Sequence, residues 1–403
     1  MSNLLTLMGY EYKKILIRRS TWVVLSFTLL ITLFSCFGDI LGNVYVEGKP
    51  VYTHYERMIT DRAYERELSG RELDEALISK MQEAYGHVPE VPLYSATEEY
   101  QTYARPYSAI NGLVRSVSRL IQNTDGTELD ALELQGSQYY VLREEAILNR
   151  LKDENLTNPE VKKHLEMLEQ VKTPFVFGYT DGYNSILSRM YTIGMILTMA
   201  LSICLAPVFA NEFSDKTDQL ILTSKWGKNK AIIAKLLTGM SFGLIMTVIV
   251  LLVQIIPTLC IYGFDGWNAQ IQLLNVMITY PFTVLEGVLI VSGLAVISSL
   301  LITSLSLFLS VRLKNASAVI VAISTYSIVI MFLNIPVQYR FLYQLVKAMP
   351  INILNKNGAF SDYFILIFGK CIPVYQAVPI IYGVISIFLL ISGYRAFKNH
   401  QIS

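Results

Sequence analysis

Residues 233–262 read IAKLLTGMSFGLIMTVIVLLVQIIPTLCIY, a stretch whose single charge, Lys235, stands near its start. About 20 apolar residues in a helix cross the hydrocarbon core of a bilayer. The run is longer than that, so it reads as a transmembrane helix. Comparable runs lie at about 21–41, 188–210, 283–311, 317–334 and 376–394. Each has the length for one span, and 283–311 has some to spare for tilt. The expected fold is therefore an all-α integral membrane protein with six transmembrane helices. Composition agrees: 53% of the 403 residues are hydrophobic and 16% charged, against about 25% charged in soluble domains. This excludes a disordered chain, which lacks apolar surface to bury, and disfavours a single soluble enzyme.

The net charge of +1 hides an asymmetry. Residues 45–186 hold 15 Lys/Arg against 24 Asp/Glu, whereas the rest holds 18 against 8. An acidic polar block thus interrupts a basic membrane protein. The first run follows Lys13, Lys14, Arg18 and Arg19 and lacks a small-residue cleavage site, so it is expected to be retained as a span. With the N-terminus inside, thirteen Lys/Arg flank the spans on the cytoplasmic side and five on the other. The positive-inside rule then places both termini in the cytoplasm.

Three regions follow. Residues 1–44 form an N-terminal tail and the first span. Residues 45–186 form an extracellular, mainly α-helical domain between spans one and two. Residues 187–403 form a five-helix membrane domain, with a cytoplasmic loop at 211–232 and a re-entrant outer segment at 335–375. In the outer domain, Ser69 and Glu72 have capping-box spacing, and Leu73, Leu77, Ile78, Met81 and Tyr85 recur at helical spacing. Asn158 and Pro159 start a further helix, with Val161, Leu165, Leu168 and Val171 on one face. Phe175, Phe177, Tyr179 and Tyr183 suit anchoring at the water–lipid boundary. The 335–375 segment is too apolar for a free loop. It is expected to form short interfacial or re-entrant helices, surrounded by protein or water.

Enzyme signals are poor. No P-loop, zinc-protease or nucleophile-elbow motif occurs. Cys36, Cys204 and Cys260 lie in apolar runs and Cys371 just before the last, so the outer block has no disulfide framework. His54, His87, His164 and His400 are isolated and read as surface residues. Glu286 lies near the outer start of the fourth run. A carboxylate there is costly if embedded and marks a possible pathway residue, whereas at the headgroup level it is merely wet. Gly239 and Gly243 have the spacing that lets helices approach closely, within the chain or between two copies.

The segment after the second run carries the most information. From Asn211 and Glu212 it passes through Asp215, Lys216, Thr217, Leu220, Leu222 and Ser224 to Lys225, Lys228, Lys230 and then Lys235. It begins acidic, continues as a short amphipathic helix and ends basic. Such a helix is either an ordinary positive-inside loop or an element that docks in a partner's groove.

This segment resembles the first cytoplasmic loop of permeases of the ABC-2 (type-two) export class. Glu212, Thr217, Leu220, Leu222, Ser224, Lys228 and Lys235 fall on the family pattern. Lys216 stands where Gly is usual, and Lys225 where many members have Pro. The resemblance implies a permease without its own motor, and hence no enzyme: two permeases, identical or homologous, form the pathway, and separate cytosolic ABC ATPases hydrolyse ATP. It makes the helix around Asp215 to Ser224 a coupling helix, bordered by Lys225, Lys228 and Lys230. No cofactor is expected on this chain; ATP with magnesium belongs to the partner ATPase. The expected partners are those ATPases, a second permease and the lipid bilayer, with no nucleic acid. The absence of disulfides suits a bacterial plasma membrane. A membrane sensor whose outer domain binds a ligand is the alternative.

Overall fold

The computed structural model describes residues 2–46, 49–125, 134–224, 227–367 and 369–400. Helices α1 (Ser2–Leu16) and α2 (Arg19–Phe37) lead into a hairpin of β1 (Asn43–Val46) and β2 (Lys49–Thr53). Then come α3 (His54–Leu68), α4 (Glu75–Gly86), α5 (Ser108–Asp125), α6 (Tyr139–Asp153) and α7 (Asn158–Leu168). Helices α8 (Asp181–Leu205), α9 (Pro207–Ser214), α10 (Asp218–Thr223), α11 (Ile232–Tyr262), α12 (Val284–Leu313) and α13 (Ala316–Phe332) follow. The chain ends with α14 (Arg340–Lys347), α15 (Lys356–Ala359), an antiparallel pair β3 (Phe364–Ile367) and β4 (Lys370–Pro373), and α16 (Val374–Lys398).

Among the described residues, five helical stretches are long and apolar enough to cross a membrane: Arg19–Ile40, Asp181–Ser214, Gly227–Tyr262, Val284–Leu313 and Val374–Lys398. The protein is therefore a helical membrane protein. The expectation of six such helices is not met in full, because Ala316–Phe332 is apolar but only 17 residues long. Near its end the chain leaves the helix at Leu333, ahead of Pro336, so the apolar run continues beyond the hydrogen-bonded part.

Helix α12 is the axis of the membrane part, packing on α8, α11, α13 and α16. Gly239 and Gly243 of α11 face it. A Cβ on Gly243 would lie 2.3 Å from Thr303 Oγ1, and one on Gly239 would lie 2.8 Å from Leu307. The two glycines thus serve close approach of α11 to α12 within this chain. Pro207 interrupts the long Asp181–Ser214 stretch, because proline has no N–H and cannot continue the ladder. Ser310 of α12 repairs the break: its hydroxyl donates to Ala206 O (2.5 Å) and accepts from Phe209 N (3.1 Å) and Ala210 N (2.9 Å). Ser299, Ser304 and Ser306 instead bond carbonyls of their own helix.

Helices α3–α7 gather at one end of this bundle, referred to below as the domain end. Their core contains Leu73, Leu77, Ile78 and Met81, as the helical spacing predicts, together with Ile147 and Leu151, and it also takes in Val276 and Met277 from the α11–α12 connection. Ser69 forms no capping box; it closes α3, and Asp74 caps α4 through Leu77 N. Phe175, Phe177, Tyr179 and Tyr183 are buried in protein rather than set at a lipid boundary. Helices α3–α7 and the connections cover them.

Helix α7 overturns two readings together. Its buried face is Glu160, His164 and Met167, whereas Leu165 is exposed. A polar face goes inward because the neighbouring segments satisfy it. Arg340 pairs with Glu160, which also accepts from Phe364 N at 3.2 Å. His164 bonds Thr279 Oγ1 through Nδ1 (2.8 Å) and Asp362 O through Nε2 (2.7 Å). Since a carbonyl only accepts, Nε2 carries the proton and Nδ1 accepts from Thr279. His164 is thus a buried structural residue, not a surface one. Nearby, Arg150 pairs with Asp362 and donates to Met277 O, both at 2.8 Å. Arg143 donates to Val276 O and Ile278 O.

The 335–375 segment differs from a set of short helices. It contains α14 and α15, but the apolar run at its centre becomes strand β3, paired with β4. Ile351, Ile353, Leu354, Phe360 and Phe364 are buried. Too short to span, the run satisfies its backbone by folding back on itself, while its side chains join the core of α8, α12 and α16.

Candidate functional site

The end of the bundle opposite the domain end gathers charge. Helix α9 ends there, and a turn at 215–217 leads into α10. Thr217 N donates to Glu212 O (2.9 Å), and its hydroxyl donates to Glu212 Oε2 (2.5 Å), so Thr217 ties the turn to the last turn of α9. Lys216 takes the left-handed conformation, φ 55°. A glycine would adopt it without strain, and a residue with a Cβ pays roughly 1 kcal/mol there.

Glu212 is buried at the centre of a charged cluster. Its Oε1 receives Lys235 Nζ at 2.6 Å and Lys14 Nζ at 2.8 Å. Lys235, 1% exposed, also reaches Glu11 Oε2 at 2.8 Å, and Lys14 reaches Glu11 Oε1 at 3.2 Å. Two cations and two carboxylates therefore alternate. A buried ammonium is tolerable only when paired in this way. Burial lowers the Lys14 pKa, but its hydrogen bond to Glu212 and the nearby Glu11 charge outweigh this and hold that ammonium above its ordinary value. The cluster joins α1, α9 and α11, and Tyr12 adds a hydrogen bond to Ser241 at 2.7 Å.

On this platform stands α10. It begins at Asp218, later than the sequence suggested, since Asp215 to Thr217 form the turn. Asp218 is buried and lies 3.5 Å from His400 Nε2. Leu220 points away from the chain, 73% exposed. Asp215, Lys216, Ser224 and Lys228 are exposed as well. Ser224 donates to Ile221 O at 2.8 Å, which closes the helix. The turn Gly227–Ala231 carries Lys228 and Lys230 and approaches so closely that a Cβ on Gly227 would lie 1.5 Å from Ile221 O. Lys225 and the side chain of Leu222 lie outside the described residues.

Of the residues singled out in sequence, the structure brings together Glu212, Thr217 and Lys235, with Leu220 displayed beside them. Glu286 is at the far end. There it completes the N-terminal capping box of α12, accepting from Thr283 N (2.8 Å) and Thr283 Oγ1 (3.0 Å). That role accounts for a carboxylate at this position. Glu11 and the pairing role of Lys14 escaped the sequence reading, although Lys235 at the edge of an apolar run demanded a carboxylate partner. No family model matches the chain, and no curated protein is significantly similar to it in sequence.

Proposed function

We propose that this chain is the membrane-spanning permease subunit of an ATP-driven ABC exporter, which couples to separate ATPase subunits. In this reading the charged end faces the cytoplasm, α13 is the fifth of six spans, and α3–α7 form an extracellular domain. Both termini are cytoplasmic, and the host membrane is a bacterial plasma membrane. The pathway forms between two permeases, and ATP with magnesium binds the partner ATPases.

The observation that carries the reading is the display of α10. A six-residue helix stands exposed at the charged end, with Leu220 outward, on a platform of paired charges that reaches α1, α9 and α11. An amphipathic helix in a partner's groove is a general recognition mode. The platform gives it mechanical meaning. A push on α10 passes through Thr217 and Glu212 to Lys235 and so to α11, and through the α9 elbow to Ser310 and α12. Displacement of one short helix thereby reaches three spans.

The test is purification of the tagged chain in mild detergent, with mass spectrometry of what accompanies it. A stoichiometric ABC ATPase supports the reading. An intact, folded chain that retains none at any detergent strength refutes it.

A further inference from the structure

An apolar slot of about 490 Å³ opens between α12, α13 and α16, under the amphipathic helix α14. Leu301 and Leu305 of α12 form its back wall, Val378 and Ile381 of α16 one side, and Phe341 and Leu345 of α14 its roof. Helix α13 packs on α8 and α12, and α16 packs on α12. The volume is that of a small-molecule site.

Tyr326, Ser361, Tyr363 and Tyr382 also line the slot, but their hydroxyls are hydrogen-bonded within the protein; two further polar features stand out. The first is Gln344, whose amide nitrogen is buried and without a hydrogen-bond partner among the described residues. A buried donor left unpaired costs about 1–3 kcal/mol, and such a group calls for an acceptor. The second is Lys347, at the end of α14. It lies 5.3 Å from the centre of the Tyr343 ring and pairs with no carboxylate among the described residues. Lys347 also lines a smaller cavity of about 260 Å³, together with Asn334 and Asn352. An apolar slot, an unpaired donor at its roof and a cation at the edge of a polar cavity thus succeed one another along α14.

We propose that this slot binds one acyl chain of an anionic glycerophospholipid. The chain fills the space between Leu305 and Ile381, an ester carbonyl accepts from the Gln344 amide, and the phosphate lies against Lys347. A diacylglycerol, which has no phosphate, satisfies the first two features and not the third. The inference rests on the membrane placement of α12 and α16, not on the exporter reading.

The test is native mass spectrometry of the delipidated full chain in detergent, titrated with dioleoylphosphatidylglycerol or with dioleoylglycerol, which has the same acyl chains and ester carbonyls and no phosphate. The wild type should retain one phosphatidylglycerol more tightly than the diacylglycerol. Leu305→Trp, which fills the slot, should weaken both by about tenfold or more. Lys347→Gln should weaken phosphatidylglycerol about fivefold, the worth of one lysine at an anionic surface, and leave the diacylglycerol unchanged. Wild-type binding by Leu305→Trp would overturn the site, and equal affinity of the wild type for the two lipids would overturn the anionic assignment. If Leu305→Trp does not fold, Ile381→Trp reports from the opposite wall with the same expected loss.

Discussion

Glu212, at the end of α9, and Lys235, in the first turn of α11, are joined by an ion pair of 2.6 Å that excludes solvent from the ammonium. Removal of one member of a buried pair leaves the other unpaired, which costs about 3–5 kcal/mol. Lys235→Ala should therefore lower stability by about 3 kcal/mol, since Lys14 still holds one side of Glu212. The double substitution Glu212→Leu with Lys235→Met should recover most of that loss. Thermal unfolding in detergent reads both; equal losses in the single and double variants would show that the pair is not energetically coupled.

Ser310 offers a second test of the same region. Ser310→Ala removes the acceptor for two backbone N–H groups at the Pro207 elbow. Buried donors left unsatisfied cost about 1–3 kcal/mol. The unfolding midpoint should fall accordingly, and hydrogen exchange should rise at Phe209 and Ala210 before it rises elsewhere in α9.

Gly243→Ala places a methyl group 2.3 Å from the Thr303 hydroxyl. Overpacking of this kind costs about 1–3 kcal/mol. The loss should be relieved by Thr303→Ala in the same chain, and the oligomeric state should not change. A shift in oligomeric state at unchanged stability would assign the glycine to a contact between copies.

How much of this was legible beforehand varies with the kind of signal. The spans were plain from hydropathy, yet their ends were not. The run read as 188–210 is helical from Asp181 to Ser214, because flanks packed against the rest of the protein, such as Tyr183, Ile186 and Glu212, continue the helix. Helix α7 was found and its face misread. Period-3.6 patterning weighs apolar residues, and here the buried positions are Glu160 and His164, paid for by Arg340, Thr279 and Asp362. Glu212 and Thr217 were singled out only through the resemblance of their segment to the loop of export-class permeases. Lys14 read as topogenic charge and Glu11 drew no reading, since their partners are distant in sequence.

The domain-end network predicts opposed pH effects. Burial lowers the His164 pKa to about 4, against the hydrogen bond to Asp362 O, which raises it. Burial raises the Asp362 pKa to about 6, although Arg150 pulls it down. For His164 the folded state binds the proton more weakly than the unfolded one, so its contribution is full above about pH 6.5 and lost as pH falls toward 4. For Asp362 the sign is reversed: its contribution is full below about pH 3.8 and lost as pH rises through 6. Each is worth about 3 kcal/mol over its window, so the two largely cancel in the wild type. Asp362→Asn should lose stability from pH 7 to 4.5 relative to wild type, and His164→Gln should gain it. Unfolding midpoints across that range would reveal parallel curves if neither group is coupled to folding.

The central claim is that α10 transmits force between a partner ATPase and the membrane helices. The most direct measurement pairs Leu220→Asp with the wild type, in co-purification with the ATPase and in ATP turnover of the assembled complex in proteoliposomes. Leu220 contributes nothing to the packed core, so the variant should fold and insert normally. The account predicts loss of ATPase association and of the turnover that depends on this chain. Association and turnover at wild-type levels would contradict it.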